Sequence, residues 1–316
     1  MNPSPQTANR ATRRIMKTIR RLERFFQKSP QEMWETVRFF ETMWLSRLAY
    51  APHKVHLDVT AEERLTFWWS YFPASFHPDR SMFEYWGTDI GDLRFLWTHL
   101  QPGMTFLDIG AYHGLYSIVA AKKMGPAGRV VAFEPSARER NRMRFHLRCN
   151  QIDGVTVEPY ALAAEAGKAQ LAVVVEGFTT MNSLRRPQIE HPIKEVMVDT
   201  ISLDAYLLEK LITRVDFVKI DTEGGEVQAF RGAHGLLSHS RPLIICEVLD
   251  QVTRAWGYPA AEIMSYLQGY DYKWYDIVSN GALSPHRHQK DYTEGRNYLA
   301  VPREKQQLLL STEPKW

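Results

Sequence analysis

The chain has only two cysteines in 316 residues. Cys149 and Cys246 belong to no C-x-x-C pair and no His/Cys cluster, so neither a disulfide framework nor a zinc site is expected. Both sit in periodic or apolar segments and read as buried thiols of a reducing compartment. No apolar run approaches the ~20 residues that span a bilayer. The first residues are polar and arginine-rich without an apolar h-region, so no secretory signal is expected and the predicted location is cytoplasmic. Net charge is only +3, which by itself says little about partners. The chain also lacks an internal repeat and the G-x-G-x-x-G run that cradles a dinucleotide pyrophosphate.

What charge there is lies unevenly. Residues 10–28, RATRRIMKTIRRLERFFQK, carry eight Lys/Arg against one Glu, a local net of +7. The rest of the chain therefore sums to −4, from +3 less +7. Ile15, Ile19, Leu22 and Phe26 recur at helical spacing, which makes this segment a basic amphipathic helix. Such a helix either rests on an anionic membrane surface or packs on its own domain with a solvated basic face. Residues 31–50 continue the helical period through Met33, Val37, Phe40, Trp44 and Leu48. Residues 65–97 are dense in aromatics, most of them expected to pack against a sheet. We expect two parts: residues 1–83 as a helical, aromatic-rich extension and residues 84–316 as an α/β domain.

The most informative stretch is MTFLDIGAYHGLYSIVAAKK, residues 104–123. An apolar strand ends on Asp108, Gly110 and Gly114 follow, and a helix begins at Leu115. A glycine turn between strand and helix lets the backbone approach a ligand closely. A second acid, Glu134, closes the next strand, Arg129–Phe133. Acids at the ends of adjacent strands suit hydroxyl and amino groups better than a phosphate. They point to a ligand with a ribose and an amino group, which S-adenosylmethionine satisfies. His113 stands where a dinucleotide site needs a small residue.

Beyond this, strands and helices alternate. A helix is expected over residues 136–150, strands over 154–160, 215–220 and 242–248, and a final antiparallel pair over 270–276 and 297–301. Residues 167–200 break the rhythm with two extended segments around a polar loop. The pattern predicts a mostly parallel sheet with ligands at the carboxyl ends of its strands. Asp221 also ends a strand and opens DTEGGE, with Glu223 and Glu226 close behind. These acids could serve as a general base or hold a hard cation, or one could cap the following helix. No ligand loop of known spacing accompanies them, so no metal site is assigned. His113 and His191 are outlying candidates for the base.

FLDIGAYHGLYS, VVAFEP, the asparagine of HLRCN, VDTISLDAYL and especially VDFVKIDTEGGEVQAFRGA resemble the FkbM family of S-adenosylmethionine-dependent methyltransferases, over roughly residues 84–301. The resemblance implies a Rossmann-like class I methyltransferase sheet, mostly parallel with an antiparallel last strand. It implies methyl transfer to a hydroxyl of a sugar, glycan, polyketide or related metabolite. By the same likeness Asp108, Gly110, Ala111, Tyr112 and Gly114 would line the methionine end. Glu134, Pro135 and Ala161 would complete the cofactor contacts. Asp221 would touch both cofactor and acceptor, and with Glu223 would be catalytic. Tyr112 and His113 depart from the Asn-Ile common in the family. Two rival functions start from residues 10–28: an RNA methyltransferase, disfavoured by the −4 of the remaining residues, or a membrane-surface module that keeps the cofactor fold.

Overall fold

Alternating apolar side chains in HKVHLD and RLTFWW give β1 (His53–Asp58) and β2 (Arg64–Trp69), a two-stranded sheet. The computed structural model describes residues 52–60, 62–69, 90–176 and 179–310. The helices expected over 10–28 and 31–50, the aromatics from Tyr71 to Trp86 and the boundary at 83/84 lie outside them. The chain divides into a unit Met1–His53, almost all of it outside the described residues, and a unit Lys54–Trp316.

In that second unit α1 (Ile90–His99) leads into β3 (Thr105–Ile109), α2 (Leu115–Met124), β4 (Arg129–Phe133), α3 (Ala137–Cys149) and β5 (Val155–Glu158). β6 (Ala161–Leu162), β7 (Gly167–Val174) and β8 (Ile193–Ile201) form a separate sheet, with β7 antiparallel to β8. This is the expected break in rhythm. α4 (Leu203–Glu209), β9 (Phe217–Ile220), α5 (Glu226–Arg231) and β10 (Leu243–Val248) resume the alternation. The chain continues through α6 (Asp250–Thr253), α7 (Ala261–Gln268), β11 (Tyr272–Ile277), β12 (Leu283–Pro285), β13 (Arg296–Pro302) and α8 (Gln306–Leu310).

The main sheet has the order β12-β11-β13-β10-β9-β3-β4-β5. β10, β9, β3, β4 and β5 are parallel, while β13 runs antiparallel to both β10 and β11. This is the Rossmann-like sheet, mostly parallel with an antiparallel last strand, that the sequence predicts. β3 is buried along its whole length, as a central parallel strand covered on both faces must be. Leu107 and Ile109 pack with Val131, Phe133, Val218 and Ile220 on one face. Phe106 packs with Val130, Ala132, Phe217 and Ile245 on the other.

Within residues 1–83, expected as a helical, aromatic-rich extension, the described residues form the strand pair β1–β2. Val55, Leu57, Leu65, Phe67 and Trp69 belong to the same core as Phe106 and Ile245. Each such side chain stabilises the fold by ~1.5–3 kcal/mol through burial, and a period of two delivers them to one face. Asn150 locks the pair in place. Its Nδ2 donates to Trp68 O at 2.8 Å and its Oδ1 accepts from Trp68 N at 2.8 Å. Trp69 stacks on His146 with ring centroids 4.0 Å apart. Of the remaining described aromatics in 65–97, Phe95 is buried, Trp97 half-buried and Trp68 exposed. Both cysteines are free; Cys246 is buried and Cys149 half-buried. No helix among the described residues is long and apolar enough to cross a membrane.

Candidate functional site

The turn after β3 is pinned to the end of β4. The backbone N–H groups of Gly110 and Ala111 both donate to Phe133 O at 3.0 Å, and that of Tyr112 donates to Glu134 Oε2 at 2.9 Å. Glu134 Oε1 accepts from Ser136 N at 2.8 Å, which also fastens the start of α3. Burial pushes the Glu134 carboxyl up to about 8, against the two backbone N–H groups that favour its charged form. Gly110 has φ +76°, and a Cβ there would lie 1.8 Å from Asp221 O. This close approach joins the ends of β3 and β9, where Asp221 N donates to Ile109 O at 3.0 Å.

One cleft gathers most of the expected residues. Gly110, Tyr112, Glu134, Pro135, Ala161, Asp221 and Glu223 line it, with about 590 Å³ of free space that is partly open to solvent. Its lining includes the acids Asp221 and Glu223 besides Glu134 and no Lys or Arg, which suits a cationic ligand and not a pyrophosphate. Asp108, Ala111 and Gly114 do not line it. Asp108 follows the strand alternation inward and is 2% exposed. Its Oδ2 accepts from Ser117 N at 3.0 Å and from Ser117 Oγ at 2.6 Å, so the strand-end acid anchors the first turns of α2. Burial raises its carboxyl to about 6. Ala111 is buried, and Gly114 is the N-cap of α2.

The DTEGGE segment holds its acids in different jobs. Glu226 is fully buried, and its Oε1 accepts from Thr222 N at 2.7 Å and Thr222 Oγ1 at 2.8 Å. It closes the turn before α5 and does not cap that helix, whose N-cap Gly225 receives no side-chain bond, so the capping alternative raised above is not what the structure shows. Glu223 has φ +54°, unusual for a residue with a side chain and worth ~1 kcal/mol or more of strain. Its carbonyl accepts from Ser183 Oγ at 2.9 Å and Trp256 Nε1 at 3.1 Å, and Tyr258 OH donates to the next residue's carbonyl, that of Gly224. These bonds hold Glu223 where its carboxylate meets that of Asp221.

Sequence reasoning missed the third member of this group. Parallel pairing matches Cys246 with Ile220, so Glu247 and Asp221, the next residue of each strand, stand side by side. One carboxylate oxygen from each of Asp221, Glu223 and Glu247 lies within 4.8 Å of the other two. Glu247 Oε2 is buried without a hydrogen-bond partner. Burial, and then the charges of Asp221, Glu223 and Glu226, push its carboxyl well above the usual range. An acid near the end of an apolar strand was the available signal, but sequence alone did not pair β10 with β9. Lys219, 2% exposed on the same strand face, reaches Asp221 Oδ2 at 3.2 Å.

The two histidines do not join the cleft wall. His113 is buried and bonds Glu139 Oε2 through Nε2 at 2.6 Å, and its ring stacks on Tyr112 at 3.7 Å. Glu139, 0% exposed, also accepts from Arg138 at 2.5 Å and Arg142 at 2.9 Å. Burial opposes its charge, yet these three partners hold its carboxyl down to about 2. Burial lowers the His113 pKa despite Glu139. The network props the Tyr112 side of the turn from behind. His191 is half-buried in the loop before β8 and also lies outside the cleft.

Residues 108–274, more than half of the chain, match the Methyltransferase FkbM domain. A comparison with curated proteins gives no match. Among solved structures the chain resembles methyltransferase FkbM from Methylobacillus flagellatus KT, at 17% identity and TM-score 0.42. That alignment covers 64% of this chain and 44% of the other, so the chain spans less than half of that relative's length. It also resembles an O-methyltransferase from Bacillus cereus in complex with S-adenosylhomocysteine (16% identity, 72% of this chain, 82% of that one, TM-score 0.39). A putative rRNA methylase from Clostridium thermocellum is similar to the same degree (12% identity, 66% and 90%, TM-score 0.39). The D-x-G-x-x-x-G turn on β3, the acid after β4 and the domain match over 108–274 agree: this chain belongs to the FkbM family of S-adenosylmethionine-dependent methyltransferases.

Proposed function

We propose that the protein is an O-methyltransferase acting on a hydroxyl of a sugar, glycan, polyketide or related metabolite. Asp221 and Glu223 are its catalytic residues. Gly110, Tyr112, Glu134, Pro135 and Ala161 hold the cofactor, and Asp221 also meets its reactive end. One observation carries this reading: Asp221 and Glu223 line the same acid-rich cleft as Gly110 and Glu134. The bound cofactor supplies a methyl group already activated on a sulfonium. The chain's task is to align an acceptor hydroxyl, exclude water and remove a proton. A hydroxyl delivered to Asp221 or Glu223 loses its proton to the carboxylate as its oxygen takes the methyl. The carboxyl then returns that proton to solvent. Glu134 keeps acceptor capacity beyond its two backbone N–H bonds, enough to receive the ribose hydroxyls.

The test combines binding with turnover. S-Adenosylhomocysteine should bind in calorimetry, and labelled methyl groups should appear on hydroxylated glycans or polyketides offered to the enzyme. Label in RNA would overturn the acceptor class. Tighter binding of NAD would overturn the cofactor assignment. Residues 10–28 belong to the same proposal as a peripheral contact with the inner face of a membrane, and co-sedimentation of the full chain with anionic liposomes tests it.

A further inference from the structure

We infer that Asp221, Glu223 and Glu247 together bind one divalent cation through carboxylate oxygens, at the acceptor end of the cleft. The role of that cation in catalysis rests on the methyltransferase reading above; its binding does not. The geometry comes first. The three oxygens lie within 4.8 Å of one another. Opposed oxygens on a calcium-sized ion stand ~4.6–5.2 Å apart, and on magnesium ~4.0–4.2 Å. The cluster therefore fits the larger ion as it stands and the smaller one after a shift of less than about 1 Å.

The second observation concerns Glu247. Its Oε2 is sealed from solvent and meets no donor, although a buried carboxylate oxygen normally finds one. Glu226 Oε2 is partnerless too, but its other oxygen is held by Thr222 and it is not one of the three clustered acids. A cation between the three acids supplies the missing partner.

Charge leads to the same place. Asp221 has the Lys219 ammonium at 3.2 Å. Three carboxylates drawn this close repel one another, and a bound ion of charge +2 relieves that repulsion. The remaining coordination positions face the cleft, since Asp221 and Glu223 line it. A water or an acceptor oxygen fills them. An oxygen bound there ionises at lower pH, which would let a hydroxyl act as nucleophile near neutrality.

The experiment titrates the cofactor-free full chain with manganese, followed by electron paramagnetic resonance, and repeats it with magnesium and calcium by calorimetry. We expect one ion per chain and at least tenfold weaker binding in both Glu247→Gln and Glu223→Gln. Thermal melts show that each variant is folded. S-Adenosylhomocysteine binding is measured on the same samples. The inference is overturned if S-adenosylhomocysteine binds but no saturable metal binding appears by about 10 mM, beyond the ~10⁻³ M weak limit of oxygen-ligand sites. Undiminished metal binding by folded Glu247→Gln and Glu223→Gln overturns it equally. Metal binding without S-adenosylhomocysteine binding would sink the proposed function and leave the cation site standing.

Discussion

Replacing Gly110 with alanine should damage this protein far more than the same change at Gly103. Both glycines have left-handed backbones, with φ +76° and +84°. Alanine pays ~1–2 kcal/mol for that conformation at either position. They differ in surroundings. A Cβ on Gly103 meets nothing within 4 Å, whereas one on Gly110 lies 1.8 Å from Asp221 O and 2.9 Å from Asp221 C. A carbon needs ~3.5 Å from such an oxygen, so the ends of β3 and β9 must part by more than about 1.5 Å. Overpacking of that kind costs ~1–3 kcal/mol, and the bond from Asp221 N to Ile109 O adds ~0.5–1.5 kcal/mol when broken. The total for Gly110→Ala is ~3–6 kcal/mol, a large part of the ~5–15 kcal/mol available to a domain. Urea denaturation of both variants, followed by tryptophan fluorescence, measures the difference. S-Adenosylhomocysteine affinity should fall with Gly110→Ala, because the displaced Asp221 lines the cleft. Equal stability losses at the two positions would refute the close approach as the cause.

Three further outcomes follow from the site. Asp221→Asn keeps an oxygen for Lys219 and removes the base, so methyl transfer should fall by ~10²–10⁴-fold with little change in melting temperature; full turnover would reject the base role. Glu139→Ala takes away the carboxylate shared by His113, Arg138 and Arg142, and should cost about 3–5 kcal/mol in urea unfolding, the range for breaking a buried ion pair. A loss below ~1 kcal/mol would show that the network is not structural. The Glu134 carboxyl is raised to about 8 from 4.5, so the folded chain holds a proton that the unfolded chain has released. Its contribution to stability therefore declines as pH rises from 4.5 to 8. Glu134→Gln should flatten the fall of melting temperature across that window, and an unchanged pH slope would count against it.

Much of the fold was legible in the sequence because its signals are local. Apolar strands of four to six residues between helical periods announce a parallel sheet, and a glycine turn after TFLDI announces a ligand edge. The break at 167–200 was visible for the same reason. The strand nature of 53–69 was not, because a short alternating run beside a helical, aromatic-rich stretch leaves the period ambiguous. The candidate site was legible to the extent that each residue's position at a strand end was legible, which holds for Gly110, Glu134 and Asp221.

Tertiary structure decided which way those acids face and which of them meet. Asp108 looks equivalent to Glu134 in sequence, yet one turns in to Ser117 and the other lines the cleft. Strand alternation and the start of α2 make that choice. Glu226 looks equivalent to Glu223, yet its oxygen is spent on Thr222. Glu247 lies 26 residues beyond Asp221 in the chain and becomes its neighbour through the pairing of β10 with β9. Sequence carries propensity and period, which are properties of neighbours along the chain. Strand order and register depend on contacts between distant segments, and they alone bring Asp221, Glu223 and Glu247 together.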